Sequence, residues 1–456
     1  MKFYKWMIVL LALCFLLSCE PGNTYDFLYQ TDPAVKALIQ NKSAHYPDMT
    51  FLVLADPHYY APELGTTGSA FQAYLNQDRK MLKESSEILG AAVARIESIT
   101  ADFVLICGDM TKDGELISHQ QVAALIAEIE AQGKPVYVVP GNHDINNGEA
   151  MRFDGDDTVR VATVTADTYK QMYYNFGYAD AIAQDPNSLS YIVEPIPGLW
   201  LFGLDACRYN ENSADGHPVT GGRFNAETLA WIEKRLIAAV QNQKAVMGFL
   251  HHGVLEHYSA NEKHFPEYIL EDFAPVSKMF AAYGMHFVFT GHYHAQDVTR
   301  KSWRSAIPDH FLFDIETGSL VTYPVPWRKV TVRDQSMTIS SESITSITSR
   351  PSDFLAFAEQ FVLEGMAGTI NARLIEYGVP EADQELLTPQ IARAYVTHLK
   401  GDEQTPDQYL DFSGVSLMGM LVGLFQGDLI RGWYTDKIPA DNDLVIDMVS
   451  GEVDGP

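Results

Sequence analysis

Short apolar runs alternate with longer stretches of helical periodicity from residue 49 onward. MTFLVLA (49–55), DFVLIC (102–107) and PVYVV (135–139) are rich in β-branched and aromatic residues, which predicts three strands. Apolar residues recur at helical spacing between Gln77 and Ser98 and again between Ser118 and Gln132. The order is therefore βαβαβ, and strands this apolar predict a sheet that is covered on both faces.

The same alternation continues toward the middle of the chain. SYIVEPI and LWLFGLDA, joined by Pro197-Gly198, predict an antiparallel strand pair, and AETLAWIEKRLIAAV predicts an amphipathic helix. KAVMGFL and MHFVFT predict two more strands, and RKVTVRDQSMTISSESITSI is again rich in β-forming residues. The chain thus predicts an α/β fold with at least five buried strands.

A polar cluster follows each of five predicted strands. The clusters are Asp56-Pro57-His58, Gly108-Asp109, Gly141-Asn142-His143-Asp144, His251-His252 and Gly291-His292-Tyr293-His294. Ligands of open α/β sheets bind outside the carboxyl ends of the strands, so these side chains are expected to converge on one rim.

The donor types in these clusters predict a metal centre. Aspartate, asparagine and histidine supply oxygen and nitrogen donors without a thiolate, and there are too many for one tetrahedral zinc ion. Two ions that share a bridging carboxylate suit this set. A glycine beside three of the clusters lets the backbone approach the ions closely. Each motif alone is common in ordinary loops, but five in this order at strand ends argue against chance.

The set resembles the calcineurin-like metallophosphoesterase superfamily, whose motifs are D-x-H, G-D, G-N-H, H and G-H-x-H in that order. The resemblance covers residues 49 to 345 and implies a four-layer αββα double-sheet sandwich with a two-metal centre. It implies one ion bound by Asp56, His58 and His294, a second by Asn142, His251 and His292, and Asp109 as the bridge. His251 is preferred over its neighbour His252. The ions are divalent or trivalent, and Mn, Fe and Zn all fit the donors.

The chemistry implied by the resemblance is attack on phosphorus by a metal-bridging hydroxide, in line with the leaving group. His143 matches the family histidine beside the phosphate, which stabilises the transition state or protonates the leaving oxygen. Asp144 is expected to orient the imidazole of His143 through its second nitrogen. Asp113 and Glu115 are expected to shape the loop or to support the site from behind.

The motif arrangement is most similar to bacterial cyclic-nucleotide phosphodiesterase-like proteins, and within them to exported lipoproteins with a C-terminal helical domain. This similarity implies a small phosphoester substrate and hydrolysis of phosphodiesters, with 2′,3′- or 3′,5′-cyclic nucleotides as candidates. Two alternatives stay open: a phosphoesterase acting on monoesters or envelope lipids, and a non-catalytic binding lipoprotein. The intact ligand set argues against the second alternative.

The first residues read as a targeting segment. Lys2 and Lys5 precede an apolar stretch from Trp6 to Leu17, which is too short for a comfortable membrane span of about 20 residues. The string LLSC resembles the bacterial lipobox, which implies removal of residues 1–18 and lipid attachment to Cys19; an ordinary signal peptide is the alternative. Residues 19–48 then form a tether, and the protein is expected in the cell envelope, lipid-anchored outside the cytoplasm.

Residues 346–456 form the last predicted unit, an acidic helical domain. A helix is expected from a Ser352 cap to Gly378, another from Thr388-Pro389 to Gly401, and a third apolar helical segment between Ser413 and Tyr434. This unit either braces the catalytic domain or caps its substrate pocket. The whole chain carries 32 basic and 59 acidic residues, a formal net charge of −27, which excludes duplex nucleic acid as a probable partner.

Overall fold

The computed structural model describes residues 25–40, 45–76, 78–214, 216–303, 310–404, 406 and 408–454. Its strands are β1 Met49–Leu54, β2 Phe103–Ile106, β3 Val136–Val138, β4 Met151–Asp154, β5 Asp157–Arg160, β6 Ala183–Gln184, β7 Tyr191–Ile196, β8 Leu199–Gly203, β9 Ala245–Phe249, β10 Met285–Thr290, β11 Asp297–Trp303, β12 His310–Glu316, β13 Pro326–Arg333, β14 Ser336–Ser343, β15 Asp443–Asp447 and β16 Val453–Asp454.

The α-helices among these residues cover the sheets and form the C-terminal region. They are α1 Leu28–Thr31, α2 Pro33–Gln40, α3 Ser69–Leu75, α4 Ser85–Glu97, α5 Leu116–Ala131, α6 Ala166–Met172, α7 Ala226–Gln241, α8 Asn261–His264, α9 Phe273–Tyr283, α10 Phe354–Glu376, α11 Glu381–Lys400, α12 Leu417–Phe425 and α13 Gly427–Gly432.

Two seven-stranded sheets form the centre of the molecule. The first has the order β16-β15-β14-β13-β1-β2-β3, with β1, β2 and β3 parallel. The second has the order β11-β12-β10-β9-β8-β7-β6, with β8, β9, β10 and β12 parallel. The predicted pair of β7 and β8 is antiparallel, as expected.

The sheets pack face to face, and helices cover their outer faces. Phe51 of β1 meets Phe289 of β10 across the interface, with ring centroids 5.2 Å apart. Along β9, Met247 and Phe249 point into this inter-sheet core, whereas Val246 packs on the outside in a second core with α7 and α9. This alternation with a period of two follows from the strand geometry. The predicted αββα double-sheet sandwich is confirmed.

Three local predictions beyond residue 48 differ from the structure. The helix expected from Gln77 begins only at Ser85, and α11 begins at Glu381 rather than at Pro389, which lies inside the helix. Buried side chains of α11 such as Leu387 and Ile391 pack in the C-terminal core, and this packing outweighs the hydrogen bond that proline cannot donate. The chain also ends in β15 and β16, which extend the first sheet beyond β14.

The predicted signal segment, residues 1–18, and Cys19 lie outside the described residues. The prediction of a tether over residues 19–48 is wrong for its described part, because α1 and α2 form there and bury Phe27, Tyr29 and Ile39 in the core with α7 and α9. Within the described residues, no helix combines the length and apolarity that a membrane span requires. Cys107 and Cys207 are free thiols.

Candidate metal centre

The five polar clusters meet at one rim of the sandwich. Three of them follow the parallel strands β1, β2 and β3 of the first sheet, and two follow β9 and β10 of the second sheet. Because the two sheets face each other, the carboxyl ends of these strands lie side by side. Side chains that are up to 238 positions apart in the sequence therefore become neighbours, from Asp56 to His294.

The acidic and histidine side chains form two groups whose donor atoms could each hold an ion. The first group contains Asp56, His58, Asp109 and His294, and the second contains Asp109, His251 and His292. In the first group, Nε2 of His58 lies 3.0 Å from Nε2 of His294, which in turn lies 3.5 Å from Asp56 Oδ1. Asp109 belongs to both groups.

One oxygen of Asp109 lies between the two groups. Its Oδ2 is 3.5 Å from Nε2 of His58 and 3.3 Å from Nε2 of His251. Its Oδ1 accepts a hydrogen bond of 2.9 Å from the backbone N–H of His143. The hydrogen bond at Oδ1 thus fixes the carboxylate, and Oδ2 can bind ions of both groups.

Asn142 completes the second group. Its Oδ1 lies 3.1 Å from Nε2 of His251, and the residue is 3% exposed. The structure thus brings together all seven residues that the resemblance implied as ligands. Whether they bind ions in that division stays a prediction.

Hydrogen bonds fix the orientation of two of the histidines. Nδ1 of His251 lies 2.9 Å from the carbonyl oxygen of Cys107, and Nε2 of His292 lies 3.1 Å from that of Glu267. In each ring the N–H donates to the backbone, which leaves the other nitrogen free to bind an ion. His252 points elsewhere, because its Nε2 lies 2.9 Å from the carbonyl oxygen of Thr220. The preference for His251 therefore agrees with the geometry.

The backbone of the rim is strained at the proposed ligands. Twelve non-glycine residues among those described have positive φ, and five of them are proposed ligands: Asp56, His58, Asp109, His292 and His294. Left-handed backbone costs about 1–3 kcal/mol at a non-glycine residue and concentrates at functional sites. The concentration of this backbone strain at the proposed ligands therefore indicates a functional role for the rim.

Glycines allow the carboxylates to lie against the backbone. A Cβ added at Gly141 would overlap the backbone nitrogen and the carboxylate of Asp109, and one added at Gly291 would overlap the carboxylate of Asp56. The backbone N–H of His292, next to Gly291, donates to both oxygens of Asp56 at 3.2 and 3.0 Å. The glycines predicted beside the clusters therefore make room for ligand side chains.

Burial and charge set the protonation of the cluster. Burial pushes the pKa of Asp109 upward, but the surrounding His251, His143 and His58 hold it well below its usual range. Burial alone would lower the pKa of His251, yet the carboxylates of Asp109 and Asp56 raise it to about 9. Burial lowers the pKa values of His58 and His292 well below the usual range. Without ions, the site at neutral pH thus combines the Asp109 carboxylate and a protonated His251 with neutral imidazoles at His58 and His292. Nδ1 of His58 has no hydrogen-bond partner among the described residues. These donors fit metal ions.

His143 lies beside the first group, and Asp113 orients it. The rings of His143 and His58 are 5.0 Å apart, and the His143 side chain is 23% exposed. Nδ1 of His143 lies 2.8 Å from Asp113 Oδ1, and Lys112 pairs with the other oxygen of Asp113. Burial lowers the pKa of His143, but Asp109 and Asp113 outweigh it and raise the pKa overall.

The role predicted for Asp144 is wrong. Its carboxylate accepts hydrogen bonds from the backbone N–H groups of Met110, Thr111 and Gly141, at 3.1, 3.0 and 2.9 Å. Asp144 therefore holds the two loops together, and Asp113 is the carboxylate on His143. Neighbouring position in the sequence suggested Asp144, whereas the turn at residues 109–113 brings Asp113 to the imidazole. The motif GDMTKDG contained this second aspartate, but sequence spacing did not show where it would point.

Comparison with known proteins agrees with the family that the motifs indicate. A family model for calcineurin-like phosphoesterases matches residues 49–296. A search of curated proteins finds no match.

The solved structures that the chain matches include proteins from an animal, a plant and a bacterium, all at low identity. A dimetal phosphatase from Danio rerio is 17% identical, with a TM-score of 0.44 over 66% of this chain and 97% of that one. A purple acid phosphatase from yellow lupin is 12% identical, with a TM-score of 0.41 over 67% of this chain and 54% of that one. A predicted phosphoesterase from Streptococcus pneumoniae is 10% identical, with a TM-score of 0.26 over 66% of this chain and 92% of that one.

Proposed function

Because the chain belongs to the calcineurin-like phosphoesterase family, we propose that it is a two-metal hydrolase of phosphodiesters. The observation that carries this proposal is the position of Asp109, whose Oδ2 is within 3.5 Å of a histidine from each group of donors. A carboxylate in that position suits two ions held close together. Asp56, His58 and His294 would hold one ion, and Asn142, His251 and His292 the other.

The ions would supply Lewis acidity, activating a water molecule and offsetting the negative charge of the phosphoryl oxygens. The protein residues orient the donors and handle the proton of the leaving group. Nδ1 of His143 is held by Asp113, so Nε2 is free to face the substrate. The Asp113 carboxylate also stabilises the protonated imidazole, which can donate from Nε2 to the departing oxygen.

The bond changes are those of hydrolysis. A bond forms between the oxygen of water and phosphorus, in line with the ester bond that breaks. The leaving oxygen takes a proton from Nε2 of His143, and the proton lost by water passes to solvent. The products are an alcohol and a phosphate that carries one ester bond fewer.

The substrate preference is tested by a panel of esters on the metal-loaded full chain. The resemblance makes 2′,3′- and 3′,5′-cyclic nucleotides the first diesters to include, alongside bis(p-nitrophenyl) phosphate and p-nitrophenyl phosphate. The proposal predicts higher kcat/KM for diesters than for the matched monoester. A clear preference for the monoester would contradict it and favour a phosphomonoesterase, and no hydrolysis of any ester would favour a binding protein.

A further inference from the structure

A cavity of about 420 Å³ lies between the proposed metal centre and the C-terminal helices. His292 and His294 form part of its wall, together with residues of α10, α11, α12 and α13. Ligand pockets commonly have volumes of about 300–1,000 Å³. Because two proposed ligands line the cavity, an ester whose phosphorus lies at the metal centre has this space directly beside it.

The walls of the cavity are mostly apolar. The helices contribute aliphatic side chains: Met366, Ile370, Leu374, Leu387, Ile391, Val422, Leu429 and Ile430. Aromatic rings stand next to the metal centre, where Tyr268 lies 4.7 Å from the His292 ring and 4.9 Å from Tyr293. The indole N–H of Trp433 donates to the hydroxyl oxygen of Tyr293 at 2.8 Å, so the indole donor is satisfied within the wall. The cavity therefore suits a hydrocarbon group.

Arg79 supplies a positive charge in the same cavity. Its guanidinium lies over the Tyr395 ring, 5.5 Å from the centroid. In the part of the chain that the structure describes, the guanidinium of Arg79 forms no ion pair with a carboxylate. An unpaired guanidinium beside a metal centre is a suitable partner for an anionic oxygen of a substrate.

Helix α12 carries an apolar surface on the outside of the cavity. Val422 and Gly423 of this helix face the cavity, while Leu417, Leu424 and Phe425 are 73%, 67% and 75% exposed. The sequence LMGMLVGLF contains no charged residue. A helix that is apolar on all sides is normally buried, and exposed apolar patches mark surfaces that contact another apolar phase.

We propose that the substrate is a phosphate ester of a lipid, an inference that rests on the proposed function. The phosphoryl group would lie at the Asp/His centre with Arg79 on an anionic oxygen, and the hydrocarbon would occupy the cavity. The exposed side of α12 would contact the lipid surface from which the ester is drawn.

The test is a series of phosphodiesters that share one headgroup and differ in alkyl chain length, all kept below their aggregation limits. On the metal-loaded full chain, kcat/KM should rise at least about tenfold between a four-carbon and an eight-carbon chain. Thr369, which lines the cavity from α10, is changed to Trp to narrow it. Thr369→Trp should reduce the chain-length effect while the four-carbon ester is still hydrolysed.

Ile375 offers a matched control on the same helix. It is 62% exposed and does not line the cavity, so Ile375→Trp should keep the full chain-length effect. Equal kcat/KM for all chain lengths, with the short ester hydrolysed normally, would overturn the lipid inference and leave the proposed function standing. Failure to hydrolyse any member of the series would instead count against the proposed function.

The contribution of α12 is tested with the long-chain ester presented in phosphatidylcholine vesicles. Leu424→Glu and Phe425→Glu should lower turnover on vesicles at least about fivefold and leave turnover of the dissolved four-carbon ester unchanged. Ile182→Glu, at a site that is 50% exposed and outside the cavity, should change neither rate. If the α12 variants keep full vesicle turnover and instead convert a dimer into a monomer, a second copy of the chain covers this helix and the proposal is wrong.

Discussion

At the scale of single residues, Asp109 places one oxygen near both groups of donors, and Asp113 holds the imidazole of His143. Asp56, His58 and Asp109 could be identified from the sequence because each lies within four residues of the end of an apolar strand. Their left-handed backbone and the turn that brings Asp113 to His143 depend on contacts between distant loops. The prediction for Asp144 was wrong because such contacts cannot be read from the sequence. Its carboxylate accepts hydrogen bonds from three backbone N–H groups and does not contact the His143 imidazole.

Replacement of His143 separates proton transfer from metal binding. His143→Ala should keep the bound ions and slow hydrolysis by about 10²–10⁴-fold, because the proposed proton donor is lost. The loss should shrink for esters with acidic leaving groups, which need little protonation. Rates measured across a leaving-group series check this, and an equal loss for every ester would indicate electrostatic stabilisation instead.

Replacement of Asp113 tests the corrected partner of His143. Asp113→Asn should reduce kcat by about 10–100-fold, the usual effect of losing a carboxylate that orients a functional histidine. KM and ion content should change little, because Asp113 belongs to neither group of donors.

Asp144→Asn serves as the comparison for Asp113→Asn. Its carboxylate ties two loops together, so this variant should mainly lower the melting temperature. A larger fall in kcat for Asp144→Asn than for Asp113→Asn, in folded proteins, would restore the original assignment of Asp144.

At the scale of elements, periodicity predicted the strands that carry the site. The apolar runs coincide with the strands β1, β2, β3, β9 and β10. Parallel strands that are buried on both faces require nearly continuous apolar sequence, so such runs are easy to recognise. The pairing of β15 with β14 could not be foreseen, since DLVID is short and follows a long helical region. Tertiary packing also kept Pro389 inside α11, where local preference predicted a helix start.

The turn after β3 depends on a residue without a side chain. Gly141→Ala would push a Cβ into the carboxylate and backbone of Asp109, and relief of that overlap should cost about 1–3 kcal/mol. We expect lower metal affinity and lower activity, measured by calorimetry and by rate. Gly90→Ala in α4 is the control, because a Cβ there meets nothing within 4 Å and alanine favours helix. Equal metal affinity in the two variants would show that the close approach at Gly141 is unimportant.

At the scale of the whole molecule, we propose that the enzyme is lipid-anchored outside the cytoplasm of a bacterial cell. The proposal rests on the LLSC motif, with Cys19 following a short apolar segment. Removal of residues 1–18 takes away two lysines and no acid, so the mature chain has a net charge of −29. Such a surface repels anionic headgroups and leaves the acyl chains to hold the protein. Its substrates would then be extracellular or periplasmic esters.

Cell fractionation checks this localisation. The wild-type protein should partition with membranes and incorporate labelled palmitate, whereas Cys19→Ser should not be labelled. Wild-type protein found in the cytoplasm with its first 18 residues intact would contradict both the lipid anchor and the location of its substrates.

The number of ions bound per chain tests the central claim most directly. Elemental analysis of the purified, metal-loaded protein should find two ions per chain in the wild type. Asp109→Asn should keep its melting temperature within a few degrees but lose most of the second ion and nearly all turnover, because the shared carboxylate oxygen at 3.5 and 3.3 Å from the two histidines is gone. Asp113→Asn, a matched change four residues away, should retain both ions. Two ions and normal rates in Asp109→Asn would contradict the two-metal account.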